Sequence, residues 1–152
     1  MKKYEFTGET KQVELWNRTA MLHRIRATVE FGFVKVGELG GWIEKEENLS
    51  HEGKAWVCGD AEVWGNAKVC GDAEVFLASH VLVMGPVGSR NDFTTFFRDK
   101  DNEITVKCGC FLGKIDKFLE KVTQTHGNNK YALVYRAAVE VAKLQIELTE
   151  RK

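Results

Sequence analysis

The sequence predicts a mostly β protein: a short parallel β-helix of six-residue repeats, then a C-terminal α+β unit in which a β-hairpin packs on two helices. Two observations carry this. Residues 53–76 read GKAWVC, GDAEVW, GNAKVC and GDAEVF, one unit written four times, and a fixed short period dictates architecture. Beyond Pro86, the single proline of the chain, apolar residues recur first at strand and then at helical spacing. Within each hexad Ala and Val stand two apart, so in an extended chain both point inward. The Gly that follows, with Asp or Asn after it in three hexads, marks a corner. Three such faces make one triangular turn. An ordinary meander of short strands is the rival.

Taken in order, residues 1–36 predict two or three N-terminal strands, from Lys3–Phe6, Leu22–Ala27 and the apolar run ending in Phe33 and Val34. Gly37–Gly41, GELGG, reads as a turn cluster leading into Trp42 and Ile43. Residues 37–86 hold the repeat. Its register fades upstream, where Leu49 precedes Ala55 by six and His51 takes a Val position. It fades again in LASHVL (77–82), which keeps Ser79 and Val81 but loses the Gly. Residues 87–152 form the C-terminal unit. Phe93–Arg98 and Ile104–Cys108 predict strands across the polar turn Asp99–Asn102. Cys108–Gly113 reads as a tight apolar turn. Ile115, Phe118, Leu119 and Val122 predict a helix closed by Gly127. A second helix starts near Asn129 and runs into a basic tail.

The outward positions Trp56, Cys58, Trp64, Cys70 and Phe76 are apolar and need covering. A homotrimer is the favoured cover, with the chain's own terminal units as the alternative.

Lys plus Arg and Asp plus Glu both number 22 in 152 residues. No global field draws nucleic acid or an anionic membrane. No apolar run reaches the length of a membrane span, and MKKYEFTGET lacks a signal core, so a cytoplasmic protein is expected. Cys58 and Cys70 fall on different faces of the repeat, which argues against a disulfide. Cys108 and Cys110 form C-x-C without a second pair, a poor metal signal. No cofactor motif is present.

Ser89, Arg90, Asn91 and Asp92 are the densest polar cluster at an element boundary, and Arg98 follows on a strand. Arg suits phosphate or carboxylate, while Asn and Asp can equally hold a turn together. Cys110 with His126 is the one pair suggesting thiol catalysis, against a bland role in core and helix end. His80, expected to face outward, is a candidate general base.

The hexads resemble those of left-handed parallel β-helix proteins, a family that includes many acyltransferases. This resemblance implies a left-handed coil and, through His80, acyl transfer. The chain as a whole resembles a family of uncharacterised phage and prophage proteins. The carrying residues are Leu39–Glu44, Asn48–Ser50, the hexads, Gly85–Asp92, Cys108–Phe111 and Thr125–Asn129. Phage origin implies an accessory role against host defence, including capture of nucleotide signals. The expected function is therefore a phage-encoded, oligomeric, non-enzymatic binding protein in the host cytoplasm, presenting Ser89, Arg90, Asn91, Asp92 and Arg98 to an anionic small molecule or a host protein. A hexapeptide-type acyltransferase and a ligand-free structural trimer are the alternatives.

Overall fold

The computed structural model describes residues 2–15, 17–146 and 148; Arg151 and Lys152 of the basic tail lie outside them. β1 (Tyr4–Leu15) and β2 (Arg18–Ala27) form a long antiparallel hairpin, and β3 (Leu39–Ile43) pairs antiparallel with β2. The hexads contribute three strands of two residues each: β4 (Trp56–Val57), β5 (Glu62–Val63) and β6 (Glu74–Val75). β7 (Val81–Val87), β8 (Asp92–Arg98), β9 (Ile104–Cys108) and β10 (Phe111–Lys114) form an antiparallel sheet in the order β10-β9-β8-β7. α1 (Ile115–His126) and α2 (Lys130–Gln145) pack on it.

The hexads obey their local chemistry. Every Ala and Val of the four units is buried. All four Gly residues adopt positive φ, at Gly53, Gly59, Gly65 and Gly71, the corner conformation that a side chain resists. What they do not form is the left-handed parallel β-helix. β4 pairs with β6, β5 pairs with β3, and Val69 only bridges Leu49. These parallel contacts stop after one or two residues, and no solenoid develops from them. Four hexads are too few to stack coil upon coil, and the flanking chain enters sheets made largely of antiparallel pairs instead.

The apolar outward row is covered largely within the chain. Trp56 is fully buried, its ring edge-on to Tyr4 at 6.4 Å and to Phe31 at 5.4 Å. Trp64 packs with Ala20, Leu22 and Trp42, and Phe76 lies against Phe33, His80 and the Arg98 guanidinium. Cys58 and Cys70 are half-buried thiols, and all four cysteines are free. Lys3 closes this side, its ammonium donating to Ala55 O at 2.7 Å; burial lowers its pKa to about 8.

Gly40 and Gly41 are not in a turn. They lie inside β3, where the strand passes so close to the hexads that an added Cβ would meet Trp56 and Ile25 at 2.7 Å, or Ala61 O at 2.6 Å. Cys108–Gly113 likewise turns only at Gly109 and Cys110 before β10 begins, so the expected hairpin is a four-stranded sheet. The helices end as expected. Gly127 has φ 61°, and the Asn129 side chain accepts from Ala132 N at 3.1 Å, capping α2.

At the other end, Glu44 ties β3 to the hairpin. Its carboxylate accepts from both terminal nitrogens of Arg18, at 2.6 and 3.0 Å, and from Gly65 N at 2.8 Å. The Arg18 hydrogen bonds, foremost, hold its pKa down to about 2 from 4.5. A depressed carboxylate adds stability above its unfolded pKa and loses it as pH falls through the folded one. Glu44→Gln should therefore destabilise by about 1–2 kcal/mol at pH 7, allowing for solvent screening at the half-exposed Arg18. The difference from wild type should shrink between pH 4.5 and 2 in thermal melts; a gap independent of pH would refute this assignment.

Candidate functional site

Beside the second sheet lies a cleft of about 360 Å³. Three turns or helix ends meet there. The β7–β8 turn brings Ser89, Arg90 and Asp92, the β9–β10 turn brings Cys108, Gly109 and Cys110, and the last turns of α1 bring Lys121, Thr125 and His126. Phe111, Phe118 and Tyr135 give it aromatic walls.

Local structure explains each placement. Gly88 begins the β7–β8 turn with φ 80°, and an added Cβ would stand 1.9 Å from the Tyr135 hydroxyl oxygen. Only glycine lets the turn lie on the tyrosine this closely. Asn91 takes φ 51° and donates its N–H to Gly88 O at 3.2 Å; its work is in the turn, and it does not line the cleft. Arg136 fastens the α1–α2 turn, donating to Asn128 Oδ1 at 3.1 Å, Thr123 Oγ1 at 3.2 Å and Gly127 O at 2.9 Å. That holds His126 in place, its ring 6.0 Å from Tyr135 at 26°.

The floor is a short polar chain. The Thr94 hydroxyl donates to Cys108 Sγ at 3.3 Å, and the Cys108 thiol donates to Tyr135 Oη at 3.9 Å. Tyr135 is an acceptor here, which leaves its own proton for another partner. Burial, foremost, pushes its pKa up to about 12, so the phenol keeps its proton at neutral pH. Around the rim stand two cations, Arg90 and Lys121, with no ion pair among the described residues. Asp92 is the one carboxylate lining the cleft, and its Oδ1 accepts the Phe93 N–H at 2.8 Å. The fixed charge is therefore positive on balance, over aromatic walls.

Of the residues singled out in the sequence, Ser89, Arg90, Asp92, Cys110 and His126 converge here. Arg98 does not. It is buried, donating to Asn102 Oδ1 at 3.0 Å and Glu74 O at 2.9 Å, with its guanidinium over the Phe76 ring at 4.8 Å; it clamps β8 to the hexads. His80 is fully buried instead of outward-facing. Its Nδ1 accepts from Phe76 N at 3.0 Å and Leu77 N at 3.2 Å, closing the last hexad into a turn. A base so placed cannot meet an external acyl acceptor. Sequence reasoning missed Lys121, Thr125 and Tyr135. The available signal was spacing: Phe118, Lys121, Val122 and Thr125 recur at three and four residues along α1, one continuous face.

Among the described residues no group of three or more His, Cys, Asp or Glu could hold a metal ion. No helix among them is long and apolar enough to cross a membrane. No protein-family model matches the chain, and no curated protein matches it.

Proposed function

We propose that the protein is a phage-encoded, non-enzymatic binding protein whose C-terminal cleft captures a small anionic ligand with a flat ring, of the nucleotide class, and so withholds it from host defence. One observation carries this: Arg90 and Lys121, unpaired among the described residues, stand over a cleft walled by Phe111, Phe118, His126 and Tyr135. A guanidinium and an ammonium suit phosphate, and aromatic faces suit a base. The segments Gly85–Asp92, Cys108–Phe111 and Thr125–Asn129, which carry the resemblance to phage proteins, each supply a wall, which supports the same reading. A second copy of the chain is not needed to bury Trp56.

Calorimetric titration with adenosine 5′-monophosphate tests it. Wild type should bind, and Arg90→Ala should weaken binding at least about tenfold, the loss of a charge-assisted hydrogen bond. Equal affinity of the two proteins, or no binding by wild type, would sink the proposal. Cys110 and His126 share the cleft, which favours thiol chemistry as the second reading. Thiol-dependent turnover of an activated ester, lost in both Cys110→Ala and His126→Ala, would select it over capture.

A further inference from the structure

The cleft adjoins two other spaces. Asp92 and Gly109 also wall a small cavity of about 100 Å³. Lys68 and Lys107 of that cavity in turn wall a third, of about 530 Å³. Shared wall residues set the three spaces side by side, from α1 past the ends of β8 and β9 to the hexads. The charges along this groove are ordered. Arg90 and Lys121 stand at the cleft, and Lys107 and Lys68 follow at the middle. The far wall carries Glu46, Glu47 and Glu52.

The two middle lysines are positioned. Lys107 donates from Nζ to Gly109 O at 2.7 Å, which holds its ammonium at the junction of two cavities. Lys68 is tied by its backbone, its N–H donating to Thr95 Oγ1 at 3.0 Å, while its exposed side chain has no ion pair among the described residues. Asp92 is the one carboxylate between them and Arg90, and its Oδ1 is engaged by Phe93 N. Asn66 beside Lys68 adds an amide able to donate and accept at a base edge.

We infer that the ligand spans this groove and is a dinucleotide rather than a single nucleotide. One base lies among the aromatic rings of the cleft with its phosphate on Arg90 and Lys121. The second phosphate meets Lys107 and Lys68, and the second base meets Asn66. The carboxylates of the far wall set the length, because a third phosphate would meet the like charges of Glu47 and Glu52. This rests on the cleft being an anion site, as proposed above.

The test compares adenosine 5′-monophosphate, adenosine 5′-triphosphate and the linear dinucleotide pApA by calorimetry on the full chain. The dinucleotide should bind at least about tenfold more tightly than the monophosphate, the worth of one further charge-assisted contact. Lys68→Ala, at an exposed side chain, should erase that gain and leave monophosphate binding as it was. Arg90→Ala should weaken both ligands. The triphosphate, with its charge bunched at one end, should not match the dinucleotide. Equal affinities for monophosphate and dinucleotide, a triphosphate as tight as pApA, or a Lys68→Ala variant that keeps the gain would each overturn the inference. Monophosphate binding that depends on Arg90 without a dinucleotide gain defeats the longer ligand alone; no binding of any probe defeats the cleft assignment with it.

Discussion

Trp56→Ala should lower the free energy of unfolding by about 3–5 kcal/mol, the usual loss for an aromatic removed from a packed core. The indole has no solvent exposure. It is wedged between Tyr4 and Phe31 on one side and the close approach of Gly40 on the other. None of these can collapse readily into the space, because β3 is already held near the hexads through Trp42 N to Ala61 O at 3.0 Å. Urea denaturation should show a lower midpoint with an unchanged slope. Leu144→Ala, at an 87% exposed position on α2, should stay within about 0.5 kcal/mol of wild type. A Trp56→Ala protein within about 1 kcal/mol of wild type would mean that this core is not packed as described.

Gly88→Ala should cost about 1–3 kcal/mol through its left-handed backbone and should damage binding more than Arg90→Ala does. The methyl would stand 1.9 Å from Tyr135 Oη and 2.8 Å from its ring carbon. Either the turn lifts, carrying Ser89 and Arg90 away, or the phenol swings and uncouples from Cys108. Both outcomes unmake the cleft. Adding Tyr135→Phe removes the nearer clash and should restore part of the stability, without restoring binding in a titration with adenosine 5′-monophosphate. A Gly88→Ala variant that melts and binds like wild type would show that the turn does not lie on Tyr135.

What was legible in the sequence was local. The inward Ala and Val of each hexad and the corner glycines follow from period and from φ, and both are seen. Gly127 and Asn129 mark the helix ends because caps are decided within a few residues. Choice of strand partner is a long-range matter, and there the hexads misled. Their spacing suits a solenoid, yet β5 finds β3 and the chain leaves for antiparallel sheets. Gly40 and Gly41 look like a turn because nothing nearby reveals that a backbone passes within reach. The site divides the same way. Residue type at element boundaries marks Arg90, Asp92, Cys110 and His126, and the fold brings them together. Arg98 has the same side chain as Arg90 but stands at the far end of β8, where its guanidinium is drawn over Phe76. Tyr135 carries no sequence signal of its own; it belongs to the core under the sheet and is also a cleft wall.

β8 carries adjacent phenylalanines that face opposite ways. Phe96 belongs to the apolar cluster under the helices, and Phe97 belongs to the cluster inside the hexads. One strand is thus a party wall, and the two halves have no seam along which to come apart. A single cooperative melt follows, with calorimetric and van't Hoff enthalpies equal. Amides of β8 should exchange with solvent only when the whole molecule opens. A ligand gripped beside the helices would then slow hydrogen exchange in the distant hexads as well, since anything that holds one half closed withholds the other half's only route to unfolding.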